Sequence, residues 1–255
     1  MNAIRRHERI MEALLASREV TVQELSERLN VTGKTIREDL ARLEEKGLLL
    51  RIHGGAVLAQ SGQLGILSQQ EPLVRHASAK TEIAELALSF IKAGDIIALD
   101  GGSTTLEMAK KLPNQPLTVV TNDVHIIAEL SRKDEIQLVV PGGYRVRNML
   151  AGAEAEAYIR KLNIKKAFLS ATGVHADFGF TIYTGDLTAF KRALLDTSQS
   201  SYVVVDHHKF GQGALFTFAN FHEITTIITD SGISADTAEQ YRQAGANLAI
   251  YERMN

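Results

Sequence analysis

Residues 20–58 read VTVQELSERLNVTGKTIREDLARLEEKGLLLRIHGGAVL. Thr21 stands ahead of an apolar run with Glu24 three residues on, the capping-box spacing that opens a helix. That helix carries Val22, Leu25 and Leu29 inward and stops at Asn30. Thr32 is a second N-cap. The helix it opens extends to Lys46, and Gly47 ends it. On a wheel at 3.6 residues per turn, Ile36, Leu40 and Leu43 fall within about 60°, so the buried face is narrow. Lys34 and Glu38 stand opposite, flanked by Thr35, Arg37 and Arg42. Residues 48–52, then His53-Gly54-Gly55, then 56–58 spell strand, glycine turn, strand, which predicts a hairpin.

Upstream, Ile10, Met11, Leu14 and Leu15 form a stripe that predicts a helix over 5–17. Three short helices with a tight turn between the last two, followed by a hairpin, make a winged helix-turn-helix. The third helix of such a unit enters the major groove of DNA. Arginine and lysine there bond guanine edges or phosphates, and a threonine touches a thymine methyl or a phosphate. The candidate DNA contacts are Thr32, Lys34, Thr35, Arg37, Glu38 and Arg42 on the helix, with Arg51 and His53 on the wing. The competing interpretation is a solvated face on a small helical unit. Charge does not favour DNA: residues 1–60 hold 10 Lys/Arg against 9 Asp/Glu, a net of +1, within a chain whose net charge is −2.

The whole chain has 255 residues, 45% of them hydrophobic and 23% charged. That is ordinary globular composition, enough for one or two packed cores. The absence of cysteine excludes disulfides, thiolate zinc sites, iron–sulfur clusters and a cysteine nucleophile. No apolar run reaches the ~18–20 residues of a membrane span, and the N-terminus lacks a secretory pattern. A cytoplasmic protein with no membrane partner is expected.

Residues 59–79 lose periodicity and are rich in Gln and Ser, so they are expected to be a linker between a DNA-binding domain (1–58) and a second domain (80–255). In the second domain, short apolar strands over 96–99, 117–120, 137–140, 167–170, 202–205, 226–229 and 248–250 alternate with helical patterns over 80–91, 105–112, 124–130, 154–161, 187–198 and 235–244. Such alternation predicts an α/β fold with an open, largely parallel sheet covered on both faces, its ligands at the carboxyl ends of the strands.

The first of those strands runs into Asp100-Gly101-Gly102-Ser103-Thr104-Thr105 and then a helix. Glycines permit close backbone approach, the first amides of a helix point outward, and the helix dipole favours an anion there. Ser103, Thr104 and Thr105 add hydroxyl donors. The loop is neither a P-loop nor a dinucleotide fingerprint. A plain strand-to-helix turn is the alternative. Other strand ends carry Thr121-Asn122, Pro141-Gly142-Gly143, Thr172-Gly173 and Asp206-His207-His208-Lys209, which points to one shared crevice. Lys209 suits a phosphate or hydroxyl, and Asp100 and Asp206 suit sugar hydroxyls. No cofactor and no metal is expected: His207 and His208, as strand neighbours, would face opposite ways. Tyr144, Arg145 and Arg147 could clamp a second anion or form an exposed loop.

Several of these segments, taken in order, resemble the DeoR-type bacterial transcriptional regulators. They are Val20-Thr21-Val22-Gln23-Glu24-Leu25, Thr35-Ile36-Arg37-Glu38-Asp39-Leu40 and Arg51-Ile52-His53-Gly54-Gly55-Ala56. The second half resembles the effector domain of that family, similar in fold to sugar-phosphate isomerases of the ribose-5-phosphate isomerase kind. The matching positions include Lys80 with Ile83-Ala84, residues 100–104, Asp206 with Lys209-Phe210-Gly211, and Ile228-Thr229-Asp230. The resemblance implies a phosphorylated sugar as effector, with Asp100, Ser103, Thr104, Thr121, Asn122, Gly143, Asp206 and Lys209 lining its site. Gly102, Thr105, Gly142 and Gly173 complete the candidate set. Two departures stand out: His207 and His208 replace small residues, and Thr188-Ala189 replaces a Glu-Ala pair ahead of Lys191.

The expectation is therefore a repressor of carbohydrate-utilisation genes, not an enzyme, that binds an operator in duplex DNA and a phosphorylated sugar. Reading a repeated site requires a homo-oligomer, a dimer or tetramer. The alternative is a sugar-phosphate isomerase with an accessory N-terminal module. It would need a carboxylate base such as Asp100, Asp186 or Asp206, and no paired carboxylates mark one strand end.

Overall fold

The structure, a computed structural model, describes residues 2–17, 19–45, 48–52, 54–58 and 76–253. The expectations for Lys46, Gly47, His53 and residues 59–75 lie outside the described residues, as do the side chains of Leu15 and Asp186.

The N-terminal unit runs α1 (Ala3–Ser17), β1 (Glu19–Thr21), α2 (Val22–Leu29), α3 (Gly33–Glu45), β2 (Leu49–Ile52) and β3 (Gly55–Leu58). The capping box forms as the sequence predicts: the Glu24 amide donates to the Thr21 hydroxyl at 3.1 Å, and the Thr21 amide donates back to the Glu24 carboxylate at 3.0 Å. Asn30, in the left-handed region at φ 52°, ends α2. The Thr35 amide donates to the Thr32 hydroxyl at 3.3 Å ahead of α3. Ile10, Leu14, Leu25, Ile36, Leu40 and Leu43 close the core.

The hairpin gains a strand the sequence did not suggest. β1 pairs antiparallel with β3, giving the order β1-β3-β2. With Val20 as its one apolar residue, β1 is too short to show a period. Its approach explains Gly55, where a Cβ would lie 2.1 Å from the Val20 carbonyl oxygen.

Asp39 locks this unit. It is buried on α3 and accepts from Arg6 Nη2 at 3.0 Å and from Arg6 Nε, while His7 Nε2 lies 2.9 Å from it. Burial alone would raise the Asp39 pKa, but the bonds and charge of Arg6 and His7 outweigh it, and the carboxyl lies below its usual range.

The second unit runs α4 (Ala77–Leu88), β4 (Ile96–Leu99), α5 (Ser103–Lys111), β5 (Leu117–Val120), α6 (Val124–Leu130), β6 (Ile136–Val139), β7 (Tyr144–Val146), β8 (Met149–Ala151), α7 (Ala153–Ile159), β9 (Ile164–Leu169), β10 (Gly173–His175), β11 (Gly179–Ile182), α8 (Thr188–Thr197), β12 (Ser198–Val204), β13 (Phe216–Ala219), β14 (Thr226–Thr229), α9 (Ala235–Gln243) and β15 (Leu248–Ile250). All seven expected strands are present, in one sheet of order β15-β14-β12-β9-β4-β5-β6 with every pair parallel. Side chains alternate across it. Ile97, Leu99, Val119, Phe168 and Val204 meet α4, α5 and α6 on one face. Ala98, Val120, Leu169, Val203 and Ile227 meet α7, α8 and α9 on the other. Helix α4 begins at Ala77, so residues 77–79 of the expected linker are helical.

Two additions were not legible: the β7–β8 hairpin and an antiparallel sheet β10-β11-β13. Their strands are three or four residues long, and β11 is buried on both sides, so neither length nor alternation marks them. Just past β11, Tyr183 enters the core of the N-terminal unit, with Ala214 and Leu215 packed beside it. Burial pushes its phenol up to about 12.

Candidate functional site

Helix α3 presents two faces. Ile36, Asp39, Leu40 and Leu43 are buried, while Thr32, Lys34, Arg37, Glu38 and Arg42 are exposed and Thr35 is half-buried. The narrow apolar stripe predicted from spacing therefore leaves the cationic face free for a groove. Arg51 is exposed on β2 but engaged: its Nε donates to Glu44 at 2.8 Å and its amide to the same carboxylate at 2.9 Å, which ties the wing to α3. His53 lies outside the described residues.

The second candidate set lines the carboxyl edge of the seven-stranded sheet. Asp100 follows β4, Thr121 and Asn122 follow β5, Gly142 and Gly143 follow β6, and Asp206 and Lys209 follow β12. The strand order brings the ends of β4 and β5 side by side, with β9 between β4 and β12. Asp100 is fully buried. Its Oδ2 accepts from the Ser170 amide and hydroxyl, each at 2.9 Å, and from Lys191 Nζ. Its Oδ1 is buried with no hydrogen-bond partner, and so is Oδ1 of Asn122, whose Nδ2 donates to the Leu150 carbonyl at 2.8 Å. Two unmet acceptors at neighbouring strand ends need donors, because an unpaired buried polar atom costs about 1–3 kcal/mol.

Beside them α5 starts uncapped. Gly102 offers no side-chain bond, and the first acceptor of the helix, the Gly102 carbonyl, takes the Leu106 amide at 2.9 Å. The amides of residues 103–105 thus have no protein acceptor among the described residues, and the helix is nine residues long. Ser103 is half-buried and Thr104 buried at that end. The Thr105 hydroxyl is spent on the Gly102 carbonyl at 3.0 Å. The glycines act differently from expectation. A Cβ on Gly101 would lie 2.4 Å from Met149 Sδ, and one on Gly102 would lie 2.8 Å from Ser170 Cβ, so neighbouring side chains occupy that room.

Thr121 is buried, and its hydroxyl accepts from the Asp123 amide at 3.3 Å. Gly142 and Gly143 turn the chain into β7, and Gly173 opens β10 against the backbone of Gln212. Tyr144 and Arg145 are exposed on β7, and Arg145 Nε donates to the Arg147 carbonyl in the turn that follows at 2.6 Å. Asp206 is buried and caps the turn after β12, accepting from the His208 amide at 3.1 Å. Burial lowers the Lys209 ammonium pKa against the pull of Asp206, and Lys80 of α4, also buried, responds to the same two influences.

Sequence reasoning left Ser170 and Lys191 out of the site, although Lys191 was matched to a lysine of the family the chain resembles. Lys191 is buried beside Phe190, Ala193 and Leu194 on α8, and Nζ also donates to the Ser170 carbonyl at 2.8 Å. A lysine inside an apolar helical stripe was the available signal. The histidine pair was also misplaced: His207 and His208 share a 3-10 turn, not a strand.

A family model described as a DeoR-like helix-turn-helix domain matches residues 6–62, and one described as a DeoR C-terminal sensor domain matches residues 75–231. The chain is 36% identical over 230 residues to the HTH-type transcriptional regulator FruR of Bacillus subtilis, covering 89% of this chain and 90% of that one. It is 34% identical over 235 residues to the transcriptional repressor AccR of Agrobacterium fabrum, covering 89% of each. Ribose 5-phosphate isomerase A of Methanocaldococcus jannaschii is similar at 18% identity and a TM-score of 0.39, over 52% of this chain and 54% of that one.

Proposed function

The chain belongs to the DeoR family of HTH-type transcriptional regulators, and from that premise we propose that it is a repressor of carbohydrate-utilisation genes whose grip on DNA is set by a phosphorylated sugar. Residues 1–58 read the operator, residues 80–255 sense the effector, and the protein works in the cytoplasm as a dimer or tetramer. Among the described residues, no helix is long and apolar enough to cross a membrane. Lys34, Arg37 and Arg42 meet base edges and phosphates, Thr32 and Thr35 meet phosphates or a thymine methyl, and Arg51 with His53 lies along the flanking backbone.

One observation carries the effector reading: the buried, donor-less Oδ1 atoms of Asp100 and Asn122 beside the uncapped start of α5. The acceptors take sugar hydroxyls as donors. The amides and hydroxyls of residues 103 and 104 take the phosphate. The curated relatives, regulators along nine tenths of their length, favour regulation over an isomerase.

Control follows by linkage. An effector that fits one arrangement of the protomers better than another shifts the population toward it. A coupling of about 1–3 kcal/mol changes operator affinity roughly 5–150-fold.

The test uses duplexes selected from a random pool by the full chain. Arg37→Ala lowers affinity for them by roughly 5–100-fold in fluorescence anisotropy and leaves the thermal shift given by phosphorylated sugars intact. Ser103→Asp does the reverse, placing a negative charge where the phosphate sits. Unphosphorylated sugars matching their phosphorylated forms in thermal shift would overturn the phosphate assignment.

A further inference from the structure

Lys191 shares its side of α8 with a second polar group. Among the described residues, the buried side-chain atoms that lack a hydrogen-bond partner are Asp100 Oδ1, Asn122 Oδ1, Thr188 Oγ1 and Thr229 Oγ1. The first two belong to the crevice. Thr229 ends β14, which is separated from β4 by β12 and β9. Thr188 opens α8 and precedes Lys191 by three residues, so the two side chains are neighbours on the helix surface. Other threonines at helix ends spend their hydroxyls locally. Thr197 of the same helix donates to the Ala193 carbonyl at 2.7 Å, as Thr105 does to Gly102. Thr188 Oγ1 is buried and bonds to no protein atom.

The course of the chain brings this hydroxyl to the crevice. Helix α8 ends at Thr197 and β12 begins at Ser198, so α8 runs from the carboxyl edge of the sheet back to its amino edge and starts where the strands end. Helical side chains lean toward the start of their helix. Lys191 accordingly reaches Asp100 and the Ser170 carbonyl at that edge. Asp100 and Asn122 continue the alternation of Ala98 and Val120, on the face of the sheet that Phe190, Ala193 and Leu194 of α8 cover. The ammonium of Lys191 has nothing further to give, because its protons go to Asp100 and to the carbonyl and hydroxyl of Ser170. On this side of the crevice the unspent donor is Thr188.

Chemistry separates the three unmet groups. The free oxygens of Asp100 and Asn122 only accept, so they ask the effector for hydroxyl protons. A threonine hydroxyl also donates. Thr188 stands where the family has glutamate, which only accepts and repels an anion. The exchange puts a neutral donor in place of a charged acceptor, and the charge of Asp100 is already balanced by Lys191. The ligand group that fits is inverted with it. We propose that Thr188 is a specificity-determining residue of the effector site, donating to a carbonyl or carboxylate oxygen of the effector's carbon chain. This rests on the phosphate reading above and narrows it: the effector is a ketose or aldonate phosphate, with an oxygen that accepts only, and not an alditol phosphate.

Titration calorimetry of the full chain against matched alditol, ketose and aldonate phosphates of several chain lengths tests both levels. In the matched set that binds, the ketose or the aldonate phosphate binds roughly 10-fold more tightly than the alditol phosphate, and whichever does so tells carbonyl from carboxylate. Thr188→Val keeps the shape, removes the hydroxyl and erases that preference, while Thr188→Ser restores it. Thr188→Glu reverses it in favour of the alditol phosphate. Where valine does not fold, as read from a urea melt, Thr188→Ala repeats the comparison. An alditol phosphate that binds as tightly as its partners overturns the assignment of Thr188 and leaves the phosphate reading standing. A preference that survives Thr188→Val overturns it too. If no phosphate in the set binds, or if Ser103→Asp leaves binding intact, the phosphate reading falls and the assignment of Thr188 falls with it.

Discussion

Asp39 in the N-terminal unit and Asp100 in the second are both buried carboxylates held by cations, yet they end differently. Every oxygen of Asp39 is met: Oδ1 by Arg6 Nη2 and His7, Oδ2 by Arg6 Nε. At Asp100, Lys191 and Ser170 all converge on Oδ2, and Oδ1 is left bare at 0% exposure. The first arrangement has nothing left to offer a ligand and fixes α1 against α3, so that the outer face of α3 is held rigid. The second keeps an acceptor in reserve. On the function proposed above, the saturated carboxylate is structural and the unmet oxygen of Asp100 is kept for the effector, although both side chains are buried.

The contrast breaks first at Asp39. Asp39→Ala strands Arg6 and His7 and lowers the unfolding free energy by roughly 3–5 kcal/mol in urea melts, as loss of one member of a buried pair does. Because the folded pKa of Asp39 is depressed, its stabilisation is full above the unfolded value of about 3.9 and fades as pH falls through the folded one. Asp39→Asn flattens that acid limb. At the open site the pattern inverts. Asn122→Ala costs one hydrogen bond to Leu150, about 1 kcal/mol of stability, while weakening the effector roughly 10-fold in titration calorimetry. Equal stability losses at Asp39 and Asn122 would erase the distinction. Thr21→Ala sharpens it at the lower end, opening the capping box for about 0.5–2 kcal/mol of stability with no change in effector affinity.

The N-terminal unit was legible in the residues because its signals are local. Thr21 with Glu24, Asn30, and the spacing of Ile36, Leu40 and Leu43 each fix a backbone event within a few positions. The parallel strands were legible for a similar reason, as short apolar runs between helical patterns. What stayed hidden depends on pairing between distant segments. β1 finds β3 across two helices, and Lys191 reaches Asp100 across ninety-one residues. At the site, spacing could bring Ser103 and Asn122 to one edge, but not show which oxygen of Asp100 is free, nor that Thr105 is consumed by its own turn. The histidine pair shows the same limit, since a 3-10 turn and a strand end read alike over three residues.

Tyr183 gives the assembly a mechanical character. A phenol ring from the sensing half completes the interior of the reading half, so the two are not beads on a string. Strand β11, which leads into that tyrosine, accepts the Thr172 amide on its Thr181 carbonyl at the crevice edge. One strand thus joins the edge of the sensing half's sheet to the interior of the reading half.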